Sequence, residues 1–300
     1  MAISHTDNLA PRSPQKLRNR NQQQLQRFLF EDVDANLFAL SWLENQGVEP
    51  HRPDHFAYWG LFDEDRDLCA VALNIADRLL MLDTRHDEEQ ARRFARFFRS
   101  RKIRFHHVVS RARSVEPFWQ TYSQEESNWS VSARLIQHQR LYHLRPYHFD
   151  APKRRLTGLR PARRSELDAI FLASVRMHRE ETLEDPLERG ASAFRRHVRH
   201  RIDKKRTYAW FDDKRHLMFK ADISTRCSAG AQISGVYTAP QFRNQGIATR
   251  AMTDLCAILF DEGLPRLTLY VNETNEPALR VYEHLGFHFL SPYRTVFVAD

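Results

Sequence analysis

Apolar positions along the chain recur with two spacings, about 3.6 residues in some stretches and strict alternation in others, and this sorts it into helices and strands. In the first half the spacing predicts helices over Gln22–Phe30 and Val33–Asn45, the second ending at Gly47, then strands His55–Phe62 and Leu68–Ile75 on either side of an acidic turn, Asp63–Asp67. Strand Leu79–Leu82, helix Asp87–Ser100, strand Arg104–Val109, helix Ser114–Tyr122 and strands between Val131 and Leu144 follow. From Arg154 the pattern predicts strand Leu156–Arg160, helix Glu166–His178 capped by Ser165, helix Ala191–Arg206 and strands Thr207–Phe211, Leu217–Ser224 and Ala231–Tyr237. A loop, helix Ile247–Phe260, strand Leu267–Asn272, a short helix and strand Phe287–Leu290 complete the series.

The two halves run through nearly the same order of elements. That implies an internal structural repeat of mixed α/β class, with the boundary near Pro152 in the basic linker Pro146–Arg155. A chain of 300 residues fits two domains of about 150 residues each. The expected division is a flexible tail over 1–21, a first domain over 22–150 and a second over 151–300, the tail being rich in Arg, Asn and Gln with Pro11 and Pro14.

The chain has nine glycines, so each requires a backbone reason, and five of them (Gly230, Gly235, Gly246, Gly263 and Gly286) fall in the last 71 residues. Gly246 lies in Gly235–Arg250, where an apolar strand ends at Thr238-Ala239-Pro240, passes through a loop and enters a helix carrying Ala248, Met252, Leu255, Cys256 and Leu259 at helical spacing. A strand, loop and helix start of this kind offers unpaired amides and a positive helix end to a phosphate. Further on, Thr274 is placed to cap a helix with Pro277 in its first turn, and Gly286 supplies a left-handed stop. Leu279, Tyr282 and Leu285 then share one face of that helix.

Two segments carry a resemblance to a known family. Arg243-Asn244-Gln245-Gly246-Ile247-Ala248 resembles the R-x-x-G-x-G/A pyrophosphate loop of GNAT-superfamily acyltransferases, and Asn275, Ala278, Tyr282, Gly286 and Phe287 resemble their second signature. The overall pattern is similar to a bacterial group of two-part acetyltransferase-like proteins. Tyr58-Trp-Gly60 and Arg113–Trp119 carry this likeness in the first half, and Met177–Glu181, Phe219–Asp222 and Leu269–Asn272 in the second. The resemblance implies two tandem GNAT-like domains, the first degenerate, and acetyl-CoA as cosubstrate. It implies that acetyl-CoA is held by Val236, Tyr237, Thr238, Arg243, Asn244, Gln245, Gly246, Ile247, Ala248, Thr249 and Asn275. It also implies that a backbone N–H within Val236–Thr238 polarises the thioester carbonyl and that Tyr282 protonates the departing thiolate.

Two departures qualify what the resemblance implies. Many relatives place a glutamate base on the strand before the loop, but Ala229–Ala239 holds no carboxylate. Arg176–Asp185 gathers four instead, and acids at a helix C-terminus are unfavourable with the helix dipole, which points to Glu180 or Glu181 as the base and to a primary amine as acceptor. In the first half, the segment where a phosphate loop belongs reads Asp83-Thr-Arg-His-Asp-Glu-Glu89, with four carboxylates and no glycine, so it repels a pyrophosphate.

Composition narrows the rest. Three cysteines far apart support neither a disulfide framework nor a zinc cluster, and the fifteen histidines include no zincin pattern, so no metal site is expected. No apolar run approaches a membrane span and no signal core opens the chain, which reads as cytoplasmic. A net charge of +8, concentrated in Arg195–Arg206, suits either attraction of an anionic donor or a solvated helix face, and without interleaved aromatic residues it disfavours nucleic acid. Two other functions remain: a non-catalytic acyl-CoA-sensing or interaction module, and acyl transfer to a macromolecule such as a protein or aminoacyl-tRNA. The acceptor and the oligomeric state are left open.

Overall fold

A computed structural model describes residues 13–51, 55–76, 78–125, 129–155, 158–188 and 190–299. The chain forms two compact units, one of Met1–His138 with Pro292–Asp300 and one of Gln139–Ser291.

In the first unit β1 (Gln15–Lys16) is followed by α1 (Gln22–Glu31), α2 (Val33–Gln46), β2 (Phe56–Phe62), β3 (Leu68–Ile75) and β4 (Leu79–Asp83). Then come α3 (Glu88–Ser100), β5 (His107–Arg111), α4 (Ala112–Tyr122) and the start of β6 (Ala133–Leu144). Its strands lie in the order β1, β2, β3, β4, β5, ending on β12 (His288–Val298), and only β4 and β5 are parallel. An aromatic core of Phe94, Phe98, Phe118 and Tyr122 packs against Leu80 and Val108.

The second unit takes the second half of β6 and continues with β7 (Arg160–Pro161), α5 (Leu167–Thr182), α6 (Ala191–Asp203), β8 (Thr207–Phe211), β9 (Leu217–Cys227) and β10 (Gly230–Thr238). It closes with α7 (Ile247–Asp261), β11 (Leu267–Asn272) and α8 (Glu276–His284). The strand order is β6, β11, β10, β9, β8, β7, with β10 and β11 parallel. Helices α7 and α8 bury Ala251, Leu255, Leu279 and Tyr282 against Phe219, Ile233 and Leu269, whereas α5 and α6 bury Ile170, Ala173, Val198 and Ile202 against Ala209 and Tyr237. The helices therefore build two separate clusters on the sheet.

Each half spells strand, two helices, three strands, helix, strand, helix, strand. The final strand of each series, however, serves the other unit. Residues 139–144 of β6 pair along all six positions of β11, and residues 293–297 of β12 pair with β5. The chain therefore changes units at Gln139, inside a strand, and again at Pro292, where the sequence places one change near Pro152.

Several local expectations are corrected. Residues 1–12 of the expected tail lie outside the described residues, but 13–21 are no tail: Gln15–Lys16 pairs with β2, Arg18 bonds Glu49 at 2.9 Å, and Leu17 is 1% exposed. Burying a leucine stabilises by roughly 1.5–3 kcal/mol, enough to hold so short a strand. Ser165 lies in a short 3-10 turn, where the Glu166 carboxylate accepts from the Arg163 amide instead of the serine capping α5. At α8 the cap is Asn275, whose side chain accepts from the Ala278 N–H at 3.2 Å, and not Thr274. The stretch after Val131 holds one long strand, β5 starts three residues later than expected, and α6 stops at Asp203. Residues 156–157 of the expected strand Leu156–Arg160 lie outside the described residues, and β7 holds only Arg160 and Pro161.

Candidate active site

Parallel β10 and β11 pair at only two positions, Ala231 with Leu267 and Gln232 with Thr268. Beyond them the register of β10 on β9 shifts between Ser234 and Tyr237, leaving Gly235 and Val236 opposite a single residue, which is a β-bulge. The strands part here, so the bulged backbone of β10 borders a cleft. Gly235 has φ +56, and a Cβ there would lie 2.5 Å from Asp222 Oδ2, so only glycine fits the bulge.

At the end of β10 the chain makes a short turn over Pro240–Phe242 and continues through Arg243, Asn244 at φ +60 and Gly246 at φ +71 into α7. Gly246 is the N-cap and no side chain caps the helix; the Arg250 N–H donates to the Gly246 carbonyl at 3.1 Å. The amides ahead of it have no intrahelical acceptor. Nothing lies within 4 Å of where a Gly246 Cβ would stand, so the space above the helix start is open. Gln245 ties the loop to the Gln241 carbonyl at 3.0 Å, Ile247 is buried as its anchor, and Ala248 and Thr249 are half-buried on the first turn. These features fit a phosphate group.

Arg243 folds back over β10. Its Nε donates to the Thr238 carbonyl at 3.1 Å, its guanidinium lies over the Tyr237 ring, and Nη2 pairs with Glu180 at 3.3 Å. Glu180 and Glu181 occupy the last turn of α5, which runs four residues past its expected end. Three of the four carboxylates of this segment are placed in different surroundings. Asp185 holds the turn after α5 through Arg179 and the Leu187 amide, and Glu180 meets the loop. Glu181 instead lies within electrostatic reach of Lys220, Asp222 and Tyr282. Although accessible, its carboxyl sits in a recess whose desolvation pushes its pKa up, with a pull downward from Lys220 and a further push from Glu180 and Asp222.

Tyr282, 6% exposed, reaches the same recess from α8. Burial drives its phenol pKa far up, and the charge of Glu181 and the thiol of Cys256 push in the same direction. Tyr270, from β11, is 38% exposed as a residue, yet desolvation of its hydroxyl raises the phenol pKa and the charge of Glu181 adds to it. A high-pKa phenol stays protonated at neutral pH, and a raised carboxyl is a stronger base than an exposed one. Asn275 is elsewhere occupied, its side-chain oxygen accepting the α8 cap bond. Tyr237 points into the α5–α6 cluster, where its buried hydroxyl has no hydrogen-bond partner.

Sequence reasoning noticed Lys220 and Asp222 only as part of a motif. They form a buried charged group under the bulge. Lys220 Nζ lies 2.9 Å from Asp222 Oδ2 and donates to the Gly235 carbonyl at 3.1 Å, while Arg201 from α6 donates to Asp222 at 2.9 Å and Thr207 at 2.7 Å. Lys220 is 0% exposed and Asp222 2%. Burial pushes the Asp222 carboxyl up, but Lys220, Arg201 and the Thr207 bond outweigh it and hold the pKa below the usual range. A lysine and an aspartate two residues apart within the apolar run Leu217–Ile223 were the available signal.

The same position in the first unit is built differently. There α3 starts after Asp87, whose carboxylate accepts from the Glu89 and Gln90 amides at 2.8 and 3.2 Å. Beside it Arg85 and His86 take the left-handed turn. The parting of β4 and β5 is bridged by Ser110, whose hydroxyl bonds both the N–H and the carbonyl of Leu82. The recess left among Leu29, Asn36, Met81 and Asp83 holds about 10 Å³, room for one water at most. Among the described residues no group of three or more His, Cys, Asp or Glu could hold a metal ion, and no helix is long and apolar enough to cross a membrane.

Residues 181–287 match the family model for the acetyltransferase (GNAT) family. No curated protein sequence matches the chain. Among solved structures, a GNAT-family acetyltransferase from Colwellia psychrerythraea is 12% identical and superposes with a TM-score of 0.55, over 95% of this chain and 100% of that one. A GCN5-related N-acetyltransferase from Sphaerobacter thermophilus is 13% identical, with a TM-score of 0.57 over 95% and 94% of the two chains. A tandem GNAT protein from the clavulanic acid biosynthesis pathway is 12% identical, with a TM-score of 0.54 over 96% and 97%. At such identities the likeness establishes the fold alone, and it is the family match over residues 181–287 that supports acyl transfer in general. The chain is a two-domain α/β protein of tandem GNAT architecture, and its residues 181–287 are a domain of the GNAT acetyltransferase family.

Proposed function

We propose that the second unit transfers an acetyl group from acetyl-CoA to a primary amine. The observation that carries this reading is the meeting of two features through adjacent residues: Glu180 touches the arginine of the uncapped loop, and Glu181 shares a recess with Tyr282. In this reading the amides of Gly246–Thr249 and the Arg243 guanidinium hold the pyrophosphate. The thioester then lies along β10, where the bulged amides face its carbonyl oxygen.

The chemistry follows from the side chains. The ammonium first loses a proton to Glu181, which passes it to solvent; the neutral amine then bonds to the thioester carbon, a β10 amide stabilises the developing oxyanion, and Glu181 takes the second proton from the nitrogen and releases it to solvent. The C–S bond breaks as Tyr282 offers its proton to the sulfur, leaving an amide and free CoA. Tyr282 regains its proton from solvent. The first unit, with its helix start capped by Asp87, binds no CoA in this scheme.

The test is release of CoA thiol on a panel of primary amines, alongside titration calorimetry with acetyl-CoA. Binding at one site per chain with amine-dependent thiol release is expected. Binding without release on any amine would favour a sensing module, and no binding would remove the assignment.

A further inference from the structure

The buried group beneath the bulge has a property that a purely structural ion pair does not need. Lys220 and Arg201 bring two positive charges against the single carboxylate of Asp222, and the cation that is fully enclosed does not stop at its counter-ion. Lys220 Nζ goes on to the Gly235 carbonyl. Enclosing an ammonium is costly unless its partners are exact in geometry, and apolar side chains of similar volume would fill the space as well. The glycine belongs to the same arrangement, because a Cβ on residue 235 would collide with Asp222 Oδ2 and stand 3.3 Å from Lys220 Nζ.

The Gly235 carbonyl and the Val236 N–H are two ends of one planar peptide and point in opposite directions. A cation on the oxygen draws electron density through the peptide and makes the N–H a stronger donor, and it fixes the plane in which that N–H points. Gly235 and Val236 are the two bulge residues without a register partner on β9, so the peptide that joins them is outside the regular pairing.

We propose that Lys220 is a positioning residue for acyl transfer: it polarises and orients the Gly235–Val236 peptide so that the Val236 N–H stabilises the oxyanion formed from the thioester carbonyl. This rests on the reading of β10 as the strand that faces the thioester. Asp222, Arg201 and Thr207 hold the ammonium in place, and no bond is made or broken at Lys220. Asp222 neutralises part of the charge, so the residual field falls on the peptide.

The experiment reads the thioester itself. Acetyl-CoA labelled with ¹³C at the acetyl carbonyl is bound to the full chain, and its carbonyl stretch is compared with that of free acetyl-CoA by difference infrared spectroscopy. In the native protein the band is expected to move to lower frequency. Lys220→Met should return most of that movement and lower kcat at least about tenfold, with the acetyl-CoA Kd within about threefold. Because this variant leaves Asp222 short of one partner, Lys220→Met/Asp222→Asn is measured beside it, and Asp222→Asn alone, which keeps the ammonium, should keep most of the movement. A folded Lys220 variant that retains the full band movement overturns the proposal. A native protein that binds acetyl-CoA with no band movement, or does not bind it, overturns the reading of the strand and the proposal with it; that outcome appears without any substitution, so the two failures are told apart.

Discussion

The starts of α3 and α7 occupy the same place in the same series of elements, yet one is closed by its own side chains and the other is open. In the first unit an aspartate accepts from two helix amides and a serine spans the parting strands. In the second a glycine stands where the cap would be, and a bulge widens the parting. A repeated fold thus supplies two equivalent helix starts, and a handful of side chains decide whether their amides are capped or open. An internal carboxylate is a ligand for helix amides that never dissociates, which is how one copy of a fold can keep its architecture without a binding loop.

The comparison is broken most severely by closing the open start. Gly246→Glu puts a Cβ at φ +71 and a carboxylate where a pyrophosphate would sit, so acetyl-CoA binding should be abolished in calorimetry while the circular dichroism spectrum is retained. Unchanged affinity in that variant would place the donor elsewhere.

Next in size is Tyr282→Phe. It should lower kcat by about 10²-fold and leave acetyl-CoA affinity nearly unchanged, since the hydroxyl acts on charge that exists only as sulfur departs. Native turnover would make Tyr282 a core aromatic and nothing more.

Glu181→Gln sharpens the contrast through pH. With its carboxyl pKa raised above the ordinary glutamate value of 4.5, the base form is present only above the folded pKa, so native kcat should fall as pH drops through it, and the variant should lack that limb. Stability carries the same signature with the opposite sense. The folded state binds this proton more tightly than the unfolded chain, so the group's contribution weakens as pH rises from 4.5 through the folded pKa, and Gln should flatten that slope. A pH-rate profile identical to native would move the base to another group.

The smallest effect is expected from opening the closed start. Asp87→Ala should cost about 1 kcal/mol by chemical denaturation, within the range for lost caps, and the number of acetyl-CoA sites per chain should stay at one. A second site would mean that the cap alone had blocked the first unit, with no part played by Ser110.

What the sequence made legible follows from the range of the forces involved. The series of elements, the uncapped loop at Gly246 and the acidic loop at Asp83–Glu89 are local matters of spacing and residue type, and the structure has them where the pattern places them. Thr274 and Asn275 are both good caps, and only side-chain geometry chooses Asn275. The isolated Leu17 could not announce its burial because its partners lie far along the chain. Lys220 and Asp222 read as polar residues on a strand, since the arginine that makes their enclosure tolerable comes from α6. For the candidate site, Glu180 and Glu181 were indistinguishable by position, and it is Arg243 that separates them. The exchange of β6 and β12 was hidden for the same reason: nothing in a strand's own pattern states which sheet it will complete.

That exchange also sets an order of assembly. During synthesis the elements of the first unit up to β5 emerge well before the strand that pairs with β5, which spans residues 288–298, so an edge of β5 waits unpaired until those residues have been made. The second unit meets no such delay, because β6 precedes every other strand it pairs with. The half that emerges first is therefore the half that finishes last, and its folding rate is tied to contacts between residues nearly two hundred positions apart, such as Arg294 with Glu116, 178 apart. Stopping the chain a few residues short would expose a strand edge in the first unit and leave the recess of Glu181 and Tyr282 untouched.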